Sequence, residues 1–352
     1  MCKRILASQT NTEEGVPFYK IGTIGNAPDA YISKELFDDY KTKYNYPHKG
    51  EVMITCAGTV GKCVIYDGKD AYYQDSNIVW IDNPSQCISN SFLYHLLAKV
   101  DWRKLNSTTI IRIYNDDLRN LKLSYPQIEE QQKISRLLSF LDERIATQSK
   151  IIEDLKKLKS AIIEKLYKGI QGTWYSYRQL FSIINERNKQ LEYSNVLSAS
   201  QERGMVSRED LNLDIHFERS NISTYKIVKN GDYVIHLRSF QGGFAFSEQT
   251  GICSPAYTVL RPNNLLVYGY LSNYFISRDF VKSLIIVTYG IRDGRSINVD
   301  EWLDMKVVIP SKEQQTHIVN VIESIENKIK NEETYSNCLL NQKQYMLRQM
   351  FI

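Results

Sequence analysis

The chain has 352 residues, of which 43% are hydrophobic and 24% are charged. This length predicts two domains of roughly 100–200 residues each, and the composition excludes a disordered or fibrous protein. The sequence has no secretory signal, no apolar run of about 18 residues, and only scattered cysteines and histidines. It therefore predicts a cytoplasmic protein without a membrane span, a disulfide framework or a metal site.

The predicted elements alternate along the chain between strand-rich regions and long helices. Residues 1–126 carry strand-like runs such as EVMITCAG at 51–58, and a helix-like run, SNSFLYHLLAKV, at 89–100. Residues 127–170 predict one long helix. Residues 171–310 return to short strands, including AYTVLRP at 256–262, and residues 311–352 predict a second long helix. The fold class predicted is mixed α/β, with two strand-rich domains separated by two helices.

An internal repeat relates the two halves at a constant offset of 184 residues. LRNLKLSYPQIEEQQKI at 118–134 aligns without a gap with WLDMKVVIPSKEQQTHI at 302–318. The alignment places Pro126 on Pro310 and Gln131 on Gln315. A looser similarity joins 49–63 to 230–244, where in both copies a turn leads into a β-branched strand and a polar, glycine-bearing loop.

Both predicted helices carry an apolar stripe that steps by three and four residues, which is typical of a coiled-coil seam. A helix about 40 residues long would span about 60 Å and needs a partner for such a stripe. The apolar seam positions are Leu138, Leu141, Ile145, Ile152, Leu155, Ile162 and Leu166 in the first helix, and Ile322, Ile325, Ile329, Leu339, Met346 and Met350 in the second.

Polar residues interrupt the stripe at the same places in both copies. Gln148 corresponds to Glu332, and Lys159 corresponds to Lys343. Buried polar seam residues cost stability but select register and partner, so they favour two helices packed against each other. Because each helix follows its own domain, a pseudo-two-fold arrangement would make the pair antiparallel. The alternative is that each helix packs only on its own globular neighbour.

The motif P-x-x-E-x-Q-x-x-I before a striped helix, occurring twice after two unlike domains, resembles the DNA-specificity (S) subunit of Type I restriction–modification systems. The resemblance covers essentially the whole chain and implies two target recognition domains, at 1–126 and 171–310. The helices at 127–170 and 311–352 would be spacers. One departure is GTWYSYRQLF at 172–181, which has no counterpart in the first domain. The first domain is therefore expected to be shortened at its N-terminus or rearranged.

The resemblance also implies partners. The chain would bind double-stranded DNA and dock two methyltransferase subunits, with restriction subunits as further partners. Those methyltransferase subunits would bind S-adenosylmethionine, so no cofactor, metal or catalytic residue is expected in this chain. The predicted function is sequence-specific reading of a split DNA target, without catalysis.

Polar loop residues are the candidates for DNA contact, because Arg, Lys, Asn, Gln, Ser and Thr pair with base edges and phosphates. In the first domain the candidates are Lys20, Thr23, Thr55, Thr59, Lys62, Gln74, Ser76, Asn77, Thr109 and Arg112. In the second they are Ser198, Gln201, Arg203, His236, Arg238, Ser239, Gln241, Ser254, Tyr289, Arg292 and Arg295. The loop TYGIRDGRS at 288–296 is the strongest candidate. If Arg292 or Arg295 contacts a base, its replacement by alanine should weaken cognate binding by on the order of 1–3 kcal/mol.

Three other functions are less compatible with the sequence. AGTVGKC at 57–63 fails as a phosphate-binding loop, because cysteines stand at the first glycine and the final Ser/Thr positions. A stand-alone nuclease would need a metal site, which Asp29, Asp67 and Lys69 could form. Their spacing matches the nuclease pattern so loosely that chance explains it. A coiled-coil scaffold between two adaptor domains is the remaining alternative. A salt titration of DNA binding separates it from a DNA reader.

Overall fold

A computed structural model describes residues 1–74, 77–105, 112–200, 203–211, 219–236, 243–289 and 296–351. The chain divides into two compact units. Unit 1 comprises Met1–Ser149 and Thr334–Ile352, and unit 2 comprises Lys150–Glu333. Among the described residues, no helix is long and apolar enough to cross a membrane.

The elements of the first half are short strands and helices followed by one long helix. The strands are β1 Val16–Tyr19, β2 Tyr31–Ile32, β3 Val52–Thr55, β4 Cys63–Ile65, β5 Tyr72–Tyr73 and β6 Ile78–Ile81. The helices are α1 Lys34–Lys43, α2 Asn90–Lys99, α3 Asn115–Arg119 and α4 Ile128–Tyr167. Ser33 and Ser89 cap α1 and α2 by accepting a backbone N–H at the third helical position.

The second half follows the same plan with more strands. They are β7 Thr173–Ser176, β8 Phe181–Ile184, β9 Leu197–Ser200, β10 Gly204–Ser207, β11 Lys226–Val228, β12 Tyr233–Ile235, β13 Phe244–Phe246, β14 Gly251–Cys253, β15 Thr258–Pro262, β16 Thr288–Tyr289, β17 Ser296–Ile297 and β18 Lys306–Ile309. The helices are α5 Tyr177–Leu180, α6 Arg278–Ser283, α7 Val299–Asp304 and α8 Lys312–Met350.

Each unit contains an antiparallel sheet built around one fully buried strand. In unit 1 the order is β4-β3-β6, and in unit 2 it is β13-β12-β15-β8. Val52 of β3 pairs with Ile65, and Tyr233 of β12 pairs with Phe246, at an offset of 181 in both strands. The similarity between 49–63 and 230–244 therefore extends to strand register.

The hairpin loops of these two sheets are closed in the same way. Thr55 N donates to Lys62 O at 3.0 Å in unit 1, and His236 N donates to Gly243 O at 2.7 Å in unit 2. Both pairs are related by the same offset of 181 residues. The two hairpins are thus closed at equivalent positions, and the loop sequences between those positions differ.

In unit 1, the beginning of α4 packs against the end of α8. Ile134, Leu138 and Leu141 share an apolar cluster with Phe351, and Met346, Leu347 and Met350 pack on it. Further along α4, Arg144 contacts Tyr335. Residue numbers therefore rise along α4 as they fall along α8, so these two segments are antiparallel.

Unit 2 shows the same direction of pairing between the end of α4 and the beginning of α8. Lys156 Nζ lies 2.7 Å from Glu333 Oε1, and Lys159 Nζ lies 2.6 Å from Glu326 Oε1. Buried Ile163 joins Ile318 and Ile322 of α8 in the main core of the unit. The predicted mixed α/β class and the antiparallel pairing of two long helices are confirmed.

The predicted seam residues can be located individually. Leu138, Leu141, Ile322, Ile329 and Leu339 are buried. The others are partly buried: Ile145, Ile152, Leu155, Ile162, Leu166, Ile325, Met346 and Met350. The seam lysines are paired across the helices, because Lys343 contacts Asp142 in unit 1 and Lys159 contacts Glu326 in unit 2. Asp142 and Glu326 are themselves related by the repeat offset of 184.

The repeated glutamine of the helix motif fastens each long helix to the globular part of its own unit. Gln131 Oε1 accepts from Ser89 N at 2.8 Å, while its Nε2 donates to Cys87 O at 3.0 Å and Pro126 O at 2.8 Å. The side chain is fully buried. It therefore satisfies three backbone groups where the chain enters α4.

Gln315 makes the corresponding set of bonds in unit 2. Its Oε1 accepts from Val267 N at 2.8 Å, and its Nε2 donates to Leu265 O and Pro310 O, both at 3.0 Å. The side chain is 1% exposed. Each helix therefore packs both on its globular neighbour and on the other helix. The structure combines the two arrangements that the sequence allowed, mutual packing of the helices and packing of each helix on its own domain.

Candidate nucleic-acid interface

Three candidate segments of unit 1 are joined by main-chain hydrogen bonds at the end of β3. Cys56 N donates to Asn77 O at 2.7 Å, and Ile113 N donates to Cys56 O at 2.8 Å. These two bonds hold the residues after β5 and the residues before α3 on either side of the β3–β4 loop. Candidates that are far apart in sequence therefore lie at one edge of the unit.

A polar cleft of about 360 Å³ lies beside this edge. Lys20, Gln74 and Asn77 line it together with Arg4, which the sequence analysis did not select. Lys20 Nζ lies 3.2 Å from an oxygen of Asp29, and both side chains are largely exposed. An exposed pair of this kind contributes little to stability, so Lys20 can exchange its partner for a phosphate at small cost.

The β3–β4 loop is held from within by Thr55. This side chain is fully buried, its hydroxyl donates to Thr59 O, and it accepts from Lys62 N at 3.0 Å. In this position Thr55 supports the loop and does not face solvent. Thr59 is exposed and Lys62 is partly exposed, so these two carry the polar surface of the loop.

Gly61 determines how closely this loop packs on the unit. It has φ +83°, and a Cβ there would lie 2.2 Å from the Trp102 ring. A side chain at this position would displace either the loop or the buried indole. The exposed side chains of Thr59 and Lys62 are thus presented from a fixed backbone.

The remaining described candidates of unit 1 flank the loop. Thr23 accepts from Lys20 N at 3.0 Å and so closes the turn after β1. The guanidinium of Arg112 lies over the Tyr114 ring at 5.9 Å. A flat cation on an aromatic face is also suited to contact phosphate or guanine.

In unit 2, Ser198 and Arg203 lie on and after β9. Ser198 is 9% exposed, and its Oγ accepts from Arg208 Nε at 2.9 Å. Arg203 is exposed in the β9–β10 turn, where a guanidinium nitrogen donates to Asp210 O at 3.4 Å. Ser198 therefore positions Arg208, a cation that the sequence analysis did not select.

His236 and Ser254 lie at a second cluster in unit 2, around Tyr257. The His236 and Tyr257 rings meet edge to face at 5.1 Å, and Tyr257 N donates to Ser254 O at 3.1 Å. Lys226 Nζ donates to Tyr257 O at 2.7 Å. Burial lowers the pKa of Lys226, with Arg187 as a further cause. Neighbouring cations suit contact with a phosphate backbone.

Several candidates lie outside the described residues, namely Ser76, Thr109, Gln201, Arg238, Ser239, Gln241, Arg292 and Arg295. Tyr289 ends β16, and its side chain lies outside the described part of the structure. The 290–295 loop follows Tyr289 directly, and the β16–β17 pair, in which Thr288 pairs with Ile297, holds its two ends.

The residues of the nuclease alternative do not assemble into a site. Asp29 pairs with Lys20, whereas Lys69 Nζ lies 3.2 Å from Asp67 in an exposed turn. The described part of the chain holds no group of three acidic, histidine or cysteine side chains able to bind a metal. Burial raises the pKa of Cys56 to about 11 and that of Cys63 to about 12, so neither thiol of the failed phosphate-loop motif is a thiolate at neutral pH.

Comparison with known proteins gives a family match in the first half and a shared fold over the whole chain. The family model described as Type I restriction modification DNA specificity domain matches residues 1–157. A putative type I restriction enzyme specificity subunit of Haemophilus influenzae is 49% identical over 155 residues, which is 44% of this chain and 40% of that relative. The matched segment thus spans less than half of that relative.

A second relative is similar over a longer stretch. The putative type I restriction enzyme MjaX specificity subunit of Methanocaldococcus jannaschii is 21% identical over 357 residues, covering 92% of this chain and 84% of the relative.

Two solved structures share the fold. The S subunit of a Type I restriction–modification system from M. genitalium has a TM-score of 0.56 at 15% identity, covering all of this chain and 92% of that one. A chain from a study of assembly and conformational transition of the type I R-M system has a TM-score of 0.59 at 15% identity, with 96% and 91% covered. The resemblance that the repeated helix motif indicated is supported by both kinds of comparison: residues 1–157 match the Type I restriction modification DNA specificity domain, and the whole chain shares its fold with the S subunit from M. genitalium.

Proposed function

We propose that this chain reads a bipartite DNA target for a Type I restriction–modification complex and catalyses no reaction itself. The domains predicted at 1–126 and 171–310 would each read one half-site, and the helices at 127–170 and 311–352 would set the distance between them. The observation that carries the proposal is that equivalent hairpins, closed by equivalent hydrogen bonds, present loops of unlike sequence in the two units. Such an arrangement suits two DNA-binding domains that share a backbone structure and differ in the bases that they contact.

The first experiment measures binding of the chain to mixed-sequence duplex DNA at several salt concentrations. Phosphate contacts release counterions, so affinity should fall steeply with salt, whereas a scaffold protein would show neither binding nor slope. Lys62→Ala should weaken binding and reduce the slope by about one phosphate contact. Lys69→Ala is the matched control, because Lys69 pairs with Asp67 in an exposed turn.

The second experiment selects sites from random DNA with the chain in its methyltransferase complex. Two short sequences separated by an unread spacer, with centres about one helical turn apart, are expected. Arg292→Ala and Arg295→Ala should relax preference in one half-site only. A single uninterrupted site, or a preference that both substitutions leave unchanged, would contradict this assignment.

We also propose that the first part of α4 docks the methyltransferase partners, of which two are expected per chain. Support comes from exposed apolar side chains on this segment, with Leu137 at 38% and Phe140 at 52% exposure. Arg136 lies over the Phe140 ring at 5.8 Å. Those partners would bind S-adenosylmethionine and methylate adenine. An exposed aromatic ring beside arginine is typical of an interface anchor.

Phe140→Asp tests this docking surface. Because Phe140 is exposed, the substitution should leave DNA binding by the isolated chain unchanged while reducing co-purification of the methyltransferase subunits at least tenfold. Tyr345→Asp, on α8 with a side chain that is 65% exposed, is the control for simple loss of surface hydrophobicity. Equal recovery of the partner with wild type and Phe140→Asp would exclude Phe140 as an anchor.

A further inference from the structure

The segment at 172–184 completes the sheets of unit 2. Strand β7 pairs antiparallel with β18, from Lys306 opposite Ser176 to Ile309 opposite Thr173. Strand β8 adds to the free edge of β15. The Tyr177 ring between them stacks on Trp302 at 4.3 Å, with the planes 12° apart. This strand–turn–strand segment therefore covers both an isolated strand and a sheet edge.

The elements that it covers have counterparts in unit 1. The repeat offset of 184 places residues 122–125 on β18 and α3 on α7. The pairing of these elements differs between the units. Within the described part of unit 1, residues 122–125 pair with no strand. Likewise β6, the counterpart of β15, has β3 as its neighbour, and no described strand pairs with its other edge.

Side-chain burial differs accordingly between corresponding positions. Ile309 is 4% exposed under β7, whereas its counterpart Tyr125 is 45% exposed. Leu260 of β15 is fully buried beside β8, whereas its counterpart Ile81 is partly exposed. The apolar surface that unit 2 covers with residues 172–184 is thus accessible in unit 1.

We propose that residues 121–126 and the free edge of β6 form a docking site for one extended peptide segment with the chemistry of residues 172–184. Its first strand would add antiparallel to residues 122–125, and its aromatic turn would cover α3. The occupant is a separate partner chain that supplies this segment. An unpaired strand offers a row of backbone donors and acceptors, and addition of a strand satisfies them while side-chain pockets give specificity.

Unit 2 also indicates what the occupant must contain. A Cβ on Gly172 would lie 2.2 Å from Ile309 O, so the backbone approaches too closely for a side chain there. The occupant therefore needs glycine immediately before its first strand, an aromatic residue at the place of Tyr177, and a second strand of at least four residues to match β8.

The test uses the full chain and a synthetic acetylated peptide of residues 171–184. Binding is followed by fluorescence anisotropy, and the site is located by hydrogen exchange of the backbone amides. Saturating peptide should slow exchange of the amides at 122–125 roughly tenfold or more, because strand pairing protects them from solvent. Exchange at 306–309 should stay unchanged, since β7 already occupies that strand.

Two control peptides separate strand addition from non-specific adhesion. A peptide with Trp174→Pro and Tyr175→Pro loses one backbone N–H at each edge of the strand, including one that faces the partner strand. A peptide with Gly172→Val places a side chain against the carbonyl at Tyr125. Both should bind at least tenfold more weakly. The proposal is overturned if the parent peptide leaves exchange at 122–125 unchanged, if it protects 306–309 instead, or if all three peptides bind alike. None of these outcomes depends on DNA binding.

Discussion

Replacement of Gln315 by methionine tests whether the repeated glutamine holds each long helix in place. Methionine keeps the length of the side chain but loses three hydrogen bonds, to Val267 N, Leu265 O and Pro310 O. A hydrogen bond contributes about 1 kcal/mol net, and a buried donor left unsatisfied costs about 1–3 kcal/mol. We therefore expect unit 2 to lose about 2–4 kcal/mol of unfolding free energy.

Gln131→Met should cost less than Gln315→Met. Cys87 is exposed and Pro126 partly exposed, so water can replace part of the lost bonding in unit 1, whereas Pro310 is buried. The measurement is urea unfolding resolved by hydrogen exchange at the two helix starts. Gln314→Met, at an exposed position next to Gln315, is the control and should stay within about 0.5 kcal/mol of wild type. Equal stability of Gln314→Met and Gln315→Met would refute the reasoning.

Two further predictions concern the helix pair and a buried histidine of α2. Lys159→Glu places two carboxylates opposite each other and should lower the stability of unit 2 by about 1 kcal/mol, while the charge-reversed double variant Lys159→Glu with Glu326→Lys should recover most of the loss in thermal unfolding. Burial lowers the pKa of His95 to about 4, so the folded protein keeps it neutral while the unfolded chain takes up a proton below about pH 6.5. The unfolding free energy should thus fall between pH 6.5 and pH 4, by up to about 3 kcal/mol, and His95→Gln should flatten this dependence while exposed His317→Gln does not.

The two long helices could be predicted from the sequence because the apolar pattern that indicates them is local and occurs twice. The stripe has a fixed period, and the shared offset identifies which polar residues interrupt it. The role of Gln131 and Gln315 could not be predicted, since two of the three backbone partners of each lie more than 40 residues away in sequence. A repeated glutamine in the first helical turn was visible, but nothing in the pattern indicates what it bonds.

The sequence indicates which polar loops are candidates for DNA contact, but not which of their side chains reach the surface. Thr55 and Ser198 have the residue types that read bases, yet both are buried: Thr55 bonds the backbone of its own loop, and Ser198 accepts from Arg208. Residue type alone does not reveal this difference. Lys226 and Tyr257 were missed because the pairing of β11 with β14, and the fold of the chain after β14, bring them together from 31 residues apart.

The contacts that recur in both units and the residues that differ between them have separate physical roles. Three features occur at corresponding positions in both units: the hairpin register, the buried glutamines and the cross-helix lysine pairs. Together with the strands and long helices that they connect, they form the shared frame of the two units. The loop that carries exposed Thr59 and partly exposed Lys62 is held by Thr55 and by the close packing of Gly61 on Trp102. Exchanging exposed loop residues should therefore change what a unit binds without lowering its stability. Substitution at a frame position should do the reverse, reducing stability while leaving the base preference of the remaining folded protein unaltered.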